Sequence, residues 1–259
     1  MAAMFTKLTT KIALRKAGIP SNTFSFPDTS SPSSSKDGST SPFAGAANAW
    51  QNLQVPKALK SWTTPPPPAI EVAPAPVWGT RAPRCEGENG RGKLELPPLD
   101  GRPSVVVFLR HTGCPLPSSV AEKTFIEARR LANKFPRLSF VCISHASKEA
   151  TDRWVSQVGG AWSMTIIIDT EREIYAAWGL GVSTTYHLLN PWTQVAMRKL
   201  GTEEGIWARE VSGDGSANRW VVGGAWGVDE VGNIRYGGAS KTADDIPDLV
   251  EACKALGAY

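Results

Sequence analysis

From residue 104 onward the apolar positions follow two alternating periods. Val105-Val106-Val107-Phe108-Leu109 is an unbroken apolar run, as a strand covered on both faces requires. Ala121, Phe125, Ala128, Leu131, Ala132 and Phe135 then recur at helical spacing and predict a helix over about 118–135. Short β-branched or aromatic runs, Ser139 to Ile143 and Thr165 to Ile168, predict two further buried strands. Helices are expected between and after them, over about 148–158 and about 171–178. An irregular insertion is expected over about 180–218, then strands over about 219–228 and about 233–236. Asp229-Glu230-Val231-Gly232-Asn233 supplies the turn chemistry that joins those two strands. Ile246, Leu249, Val250, Cys253 and Leu256 form one stripe of a closing helix over about 244–256, in which Pro247 must lie in the first turn. The order is β-α-β-α-β, a hairpin and a helix. It predicts an α/β domain whose first strands are parallel with right-handed crossovers and whose last pair is antiparallel, with Val105–Leu109 in the middle of the sheet.

Upstream of that domain the pattern changes. Residues 1–27 carry Lys7, Lys11, Arg15 and Lys16 and no acid, with Phe5, Leu8, Ile12 and Leu14 near one helical face. Two readings fit this segment: a mitochondrial presequence, or a surface helix stopped at Gly18-Ile19-Pro20. Residues 28–43 are rich in Ser, Pro, Thr and Gly and are expected to be disordered. Pro65 to Pro68, followed by Pro74 and Pro76, predicts an extended stiff linker. The expected organisation is therefore a basic segment 1–27, an arm and linker 28–93, and a folded domain 94–257. The net charge of +4 is accounted for by the four basic residues of 1–27, so the rest is neutral and offers no general nucleic-acid surface. No stretch is long and apolar enough to span a bilayer. The compartment expected is mitochondrial or cytoplasmic.

The chain has four cysteines, 85, 114, 142 and 253, with no C-x-x-C spacing, and three histidines, 111, 145 and 187. That pattern suits free thiols in a reducing compartment and gives no metal site or bound cofactor. Cys114 carries the chemistry. It lies between the apolar run and the next helix, where backbone N–H groups and the helix dipole favour a thiolate. Arg110 and His111 are cations close to it in sequence, and Thr112 has two roles open, donor to the sulfur and local turn former. Pro115 and Pro117 remove N–H donors and weaken the thiolate stabilisation, and Pro117 stands where a second cysteine would complete a dithiol pair. The other reading of Cys114 is a small residue packed at a strand end. Cys142 and Cys253 fall on apolar patterns and read as core; Cys85, in a Gly/Arg/Glu-rich loop, reads as the exposed partner. His145 follows the strand Phe140–Ser144 and has two readings, at the Cys114 end of the sheet or on a solvent-facing loop; Arg219 and Arg235 are read either as a charge near the site or in surface ion pairs. The tryptophans read as core or insertion anchors.

Val106-Val-Phe-Leu-Arg-His-Thr-Gly-Cys-Pro resembles the active-site strand of the AhpC/TSA group of thioredoxin-like proteins, and most closely its fungal thioredoxin-like members. Tyr175-Ala-Ala-Trp-Gly-Leu-Gly-Val-Ser, Gly201-Thr-Glu-Glu-Gly-Ile-Trp and Trp226-Gly-Val-Asp-Glu-Val-Gly-Asn-Ile-Arg-Tyr-Gly-Gly add to the resemblance, which covers about 94–257. It implies a thioredoxin-like (peroxiredoxin-like) three-layer sandwich with a central mixed sheet. It also implies Cys114 as the peroxide-reactive thiol, with Thr112, Arg110 and His111 around it. The partners implied are a peroxide and an external thiol reductant, glutathione or thioredoxin. The sequence departs from the group at two places. His111 and Val107 stand where typical peroxiredoxins have Thr and Pro, and Val222-Gly223-Gly224-Ala225 lacks the proline that faces the thiol in typical thioredoxins. The alternative is a redox-inactive thioredoxin-fold module for binding or scaffolding, with the Trp-rich insertion as its contact surface.

Overall fold

The structure, a computed structural model, describes residues 66–85, 94, 96, 98, 101–110, 120–184, 191–206 and 218–258. The basic segment 1–27, the arm through residue 65, and His111, Thr112 and Cys114 lie outside the described residues. All described residues belong to one compact unit, Gln54–Tyr259.

Strand β1 (Ser104–Phe108) is buried along its whole length and sits at the centre of a five-stranded sheet of order β3-β2-β1-β4-β5. β2 (Ser139–Ser144) pairs parallel to β1, and β3 (Thr165–Ile168) parallel to β2. β4 (Gly224–Val228) and β5 (Ile234–Ala239) are antiparallel. Helix α1 (Val120–Lys134) joins β1 to β2, α2 (Lys148–Gln157) joins β2 to β3, and α3 (Glu173–Ala177) follows β3. Helix α4 (Pro191–Glu204) lies in the insertion, and α5 (Leu249–Ala255) closes the chain. This is the expected α/β, thioredoxin-like layout with a mixed central sheet.

Strand alternation divides the core in two. Val105, Val107, Phe140 and Cys142 face Phe125, Leu131, Trp154, Leu249 and Cys253 of α1, α2 and α5. Val106, Phe108, Val141, Ile143 and Trp226 face the other way, onto Ile174, Tyr175 and Trp178. Phe108, Trp178 and Trp226 contact one another at centroid distances of 5.2–5.5 Å.

Three differences from the sequence expectation have local causes. The last helix starts at Leu249, after Pro247, because Asp248 serves as N-cap: its carboxylate accepts the Glu251 N–H at 2.9 Å. The insertion is not wholly irregular: α4 begins at Pro191, whose missing N–H and fixed φ suit a first helical position. The fourth strand begins at Gly224 instead of about 219, since 218–221 forms a turn closed by Val221 N–H on the Asn218 carbonyl at 3.4 Å.

The largest difference concerns the proline-rich stretch, expected as a linker. Residues 66–85 contain neither helix nor strand, as the prolines require, yet they run across the second face of the sheet as a strap. Ala73 N–H donates to Ala176 O at 3.0 Å, Gly79 N–H to Ile234 O at 2.8 Å, and Ala82 N–H to Gly232 O at 2.9 Å. Ile234 N–H returns a bond to Thr80 O at 2.8 Å, Arg172 Nη2 reaches Pro68 O at 2.7 Å, and Trp226 Nε1 reaches Pro76 O at 3.2 Å. Ala82, Cys85, Leu94 and Leu96 are buried in the second core. The approach is close: Gly179 has φ +76°, and a Cβ there would fall 2.4 Å from the Ala75 Cα.

Candidate functional site

The parallel strands β1, β2 and β3 end together, at Leu109-Arg110, Ser144-His145 and Asp169, and β4 starts beside them at Gly223-Gly224. In open α/β sheets, ligands bind at that end, beside the central strand where connections diverge. A small cleft opens there, lined by Arg110, Val120, Thr124, Gly223, Ser240 and Asp245. The chain leaves the described residues after Arg110 and rejoins them at Val120, so both ends of the 111–119 connection line the cleft. Cys114, Thr112 and His111 belong to that connection; of the expected site residues, Arg110 alone is described.

Arg110 is buried, with 8% of its surface exposed. Its Nη2 donates to the Arg219 carbonyl at 3.2 Å and its Nη1 to the Ala243 carbonyl at 3.4 Å. These bonds hold a cation beside the cleft. The proline-free segment has its own reason for glycine. A Cβ on Gly223 would stand 2.9 Å from the Phe108 carbonyl oxygen and 3.2 Å from the Arg110 Cβ. Gly223→Ala therefore forces β1 and this segment apart. The expected cost is about 1–3 kcal/mol of stability, read as a lower urea midpoint, and an unchanged midpoint would show that the contact yields.

The other three cysteines are buried and free. Burial pushes the Cys142 thiol up to about 12. Burial raises Cys253 to about 11, with the Glu127 charge adding to it. Cys85 also rises to about 11, first through burial and then through the nearby Asp169 charge. The Trp178 indole N–H pulls Cys85 the other way, although Nε1 makes no hydrogen bond of good geometry among the described residues. Cys142 and Cys253 are core residues, as expected. Cys85 differs from expectation: it is 8% exposed, with its backbone bridged to that of the buried Leu94.

His145 and Arg219 depart from the solvent-facing and surface-pair readings, being 3% and 4% exposed. His145 is covered by the returning end of the insertion: its Nε2 stands 3.1 Å from both the backbone nitrogen and the carbonyl oxygen of Asn218. The His145 pKa is pushed down to about 4, by burial first, with Arg172 and Arg110 adding to the effect and backbone groups of Asn218 and Leu109 opposing it. Arg235 does form the expected surface pair, 2.7 Å from Asp229. Tyr175 is fully buried; its hydroxyl lies 2.6 Å from Leu109 O and 2.9 Å from Ile143 O at the ends of β1 and β2, its single proton shared between the two carbonyls. Asp169 caps α3, accepting the N–H groups of Glu173 and Tyr175 at 3.0 Å each. Among the described residues no group of His, Cys, Asp and Glu is arranged to hold a metal ion.

The depressed His145 pKa has a consequence for stability. Between about 6.5 and about 4 the unfolded chain binds a proton at this ring that the folded chain refuses. The contribution is complete above pH 6.5 and is lost as pH falls toward 4, by about 3 kcal/mol at about 1.4 kcal/mol per pKa unit. Asp169, whose pKa is raised chiefly by burial, acts with the opposite sign just above its ordinary range. Urea midpoints over that window should fall in the native chain and lose that slope in His145→Gln; equal slopes would refute the assignment.

Comparison with known proteins bears on this site. Residues 127–241 match the AhpC/TSA antioxidant enzyme family. The expected kinship is thereby shown over that segment. The AhpC/TSA segment runs from within α1 to just past β5, and begins after Cys114. A peroxiredoxin-like protein from Aquifex aeolicus is 13% identical, with TM-score 0.46, covering 74% of this chain and 92% of its own. A thiol peroxidase from Chromobacterium violaceum is 13% identical, with TM-score 0.45 and coverages of 73% and 91%. AhpC from Mycobacterium tuberculosis is 15% identical, with TM-score 0.40 and coverages of 71% and 93%. No curated protein sequence matches the chain. The fold of the domain rests on its own strand order and register.

Proposed function

We propose that this AhpC/TSA-type chain is a peroxiredoxin-like thiol peroxidase that uses Cys114 as its single attacking thiol. One observation carries the reading. Cys85, Cys142 and Cys253 are buried with thiols pushed up to about 11, 12 and 11, which keeps all three protonated near neutral pH and leaves Cys114 as the candidate nucleophile. The described residues that flank its connection, Arg110 and Val120, line the cleft, and Arg110 is a buried cation. The Cys114 thiolate attacks one peroxide oxygen. The O–O bond breaks, the leaving alkoxide or hydroxide takes a proton, and the sulfur becomes a sulfenic acid. A first external thiol condenses with it to a mixed disulfide and releases water. A second thiol displaces the first as a disulfide and restores Cys114. Glutathione or thioredoxin fits this role, because no second cysteine of the chain is available as a thiolate.

The test is peroxide consumption by the full chain with excess glutathione, and separately with reduced thioredoxin. Turnover with one of them is expected; consumption no faster than the thiol alone would sink the reading. A second reading, a redox-inactive binding module, draws on the family match beginning after Cys114. It predicts that same negative result together with a Cys114 no more reactive than a cysteine in an unfolded peptide.

The basic, acid-free residues 1–27 support a mitochondrial destination over a cytoplasmic one. Deleting residues 1–18 should then abolish import of a tagged chain. No helix among the described residues is long and apolar enough to cross a membrane.

A further inference from the structure

Six large apolar side chains are exposed among the described residues, and four of them, Val77, Trp78, Trp162 and Val231, stand at the end of the sheet remote from the cleft. Topology places them there. Trp162 lies in the turn that enters β3, Val231 in the hairpin between β4 and β5, and Val77-Trp78 in the turn by which the strap reaches the start of β5. β3 and β5 are the two edges of the sheet. At about 4.8 Å per strand the two apolar tips are about 20 Å apart. Single exposed apolar residues scattered over a surface are ordinary; four gathered at one end are not.

Both tryptophans are held outward, by different means. Trp162 has φ +53°, a left-handed conformation that L side chains rarely adopt. Its Nε1 donates to Gly159 O at 2.7 Å, and its ring lies against the Arg129 guanidinium, 4.6 Å from Cζ to the ring centroid. Arg129 Nη1 donates in turn to the carbonyls of Val158 at 2.7 Å and Gly160 at 2.8 Å. The Val77–Thr80 turn is closed by Thr80 N–H on Val77 O at 3.1 Å, with Gly79 at φ +81°. Trp78 therefore occupies the projecting second position of a tight turn, with the Arg235 Cζ 5.9 Å from its ring centroid.

Cations occupy the rest of this end. Arg102 and Arg137 stand at the entries to β1 and β2, and Arg81 is bridged to Asn233 beside the hairpin. Arg102 Nη1 reaches Pro136 O at 3.2 Å, and Arg137 Nη2 reaches Gly257 O at 3.5 Å. Carbonyl partners fix the guanidinium groups of Arg129 and Arg137 without cancelling their charge. The carboxylates described at this end are Asp229, paired with Arg235 at 2.7 Å, and Glu230. Indole rings settle at the headgroup level of a bilayer, and cations beside them gain from a negatively charged leaflet. Two rings at opposite corners of a basic end engage a planar surface together, whereas the cleft lies at the other end of the sheet.

We propose that this end of the sheet is a peripheral binding surface for an anionic bilayer, with Trp78 and Trp162 as interfacial anchors and Arg81, Arg102, Arg129 and Arg137 as headgroup contacts. It stands independently of the Cys114 reading, and it leaves the cleft facing away from the bilayer.

The experiment is co-sedimentation of the full chain with vesicles of phosphatidylcholine and phosphatidylserine, beside vesicles of phosphatidylcholine alone. The native chain should bind the mixed vesicles, bind the neutral ones about tenfold more weakly, and come off at high salt. Trp78→Ala and Trp162→Ala should each weaken binding about tenfold, and Arg137→Gln about fivefold. All three positions are exposed, so their circular dichroism melts should match the native chain. Hydrogen exchange on the mixed vesicles should slow in peptides covering residues 77–81 and 158–163. Residues 1–27 are also basic, so the place of the effect decides. Binding unchanged in both tryptophan variants, or protection confined to residues 1–27, would overturn the proposal, as would a native chain that ignores the mixed vesicles. A dimer seen by sedimentation velocity without lipid, and lost in the tryptophan variants, would give the surface to a second copy and overturn it too.

Discussion

A chain beginning at residue 94, where the apolar pattern of the domain begins, should not fold stably, whereas one beginning at Gln54 should melt within a few degrees of the full chain. The shorter chain loses the strap. With it go four backbone bonds, from Ala73 to Ala176, Gly79 and Thr80 to Ile234, and Ala82 to Gly232, and two side-chain bonds, from Arg172 to Pro68 and from Trp226 to Pro76. At about 1 kcal/mol per bond the loss is already about 6 kcal/mol. It grows further as the Trp178–Trp226–Phe108 cluster and the space vacated by Ala82 and Cys85 open to water. Single domains have only about 5–15 kcal/mol to lose. Circular dichroism melts of the two truncated chains are the check. A cooperative melt of the 94–259 chain at the full-length temperature would show that the strap is accessory.

The second large effect concerns the thiol. Cys114→Ser should lower peroxide turnover by at least a hundredfold, since a serine hydroxyl stays protonated and does not attack peroxide. Cys85→Ser should leave turnover within about twofold, because its thiol is buried and its pKa lies at about 11. The pair of variants separates one working thiol from a two-cysteine mechanism. A hundredfold loss in Cys85→Ser with intact folding would require Cys85 to resolve the sulfenic acid.

Much of the frame was legible in the chain because it depends on local periodicity. The five-residue apolar run could only be a doubly covered strand, and it is the central one. Asp248 and Glu251 flank the true start of the last helix, three positions apart, a capping signal visible in the sequence beside Pro247. What was not legible depends on contacts far apart in sequence. Nothing local to Ser144-His145 says that Asn218 will cover the ring, and a polar residue after a strand ordinarily faces water. The strap was hidden by its prolines, which fit a linker as well as a docked segment without internal hydrogen bonds. Ala82, Cys85, Leu94 and Leu96 were the available signal: apolar residues on both sides of a Gly-rich loop, all of them buried. For the site, sequence reasoning marked Arg110 and counted His145 and Arg219 among its candidates, and the structure sets Arg110 in the cleft wall; the burial of His145 and Arg219 and the contacts of the Tyr175 hydroxyl needed the fold.

The most direct measurement is to treat the reduced full chain with one equivalent of hydrogen peroxide, trap sulfenic acid with dimedone, and map the adduct by peptide mass spectrometry. The account predicts that Cys114 is labelled first, while Cys85, Cys142 and Cys253 remain unmodified in the folded protein and no intramolecular disulfide forms. An adduct on one of the buried cysteines ahead of Cys114, or a Cys114 oxidised no faster than cysteine in an unfolded peptide, would contradict it.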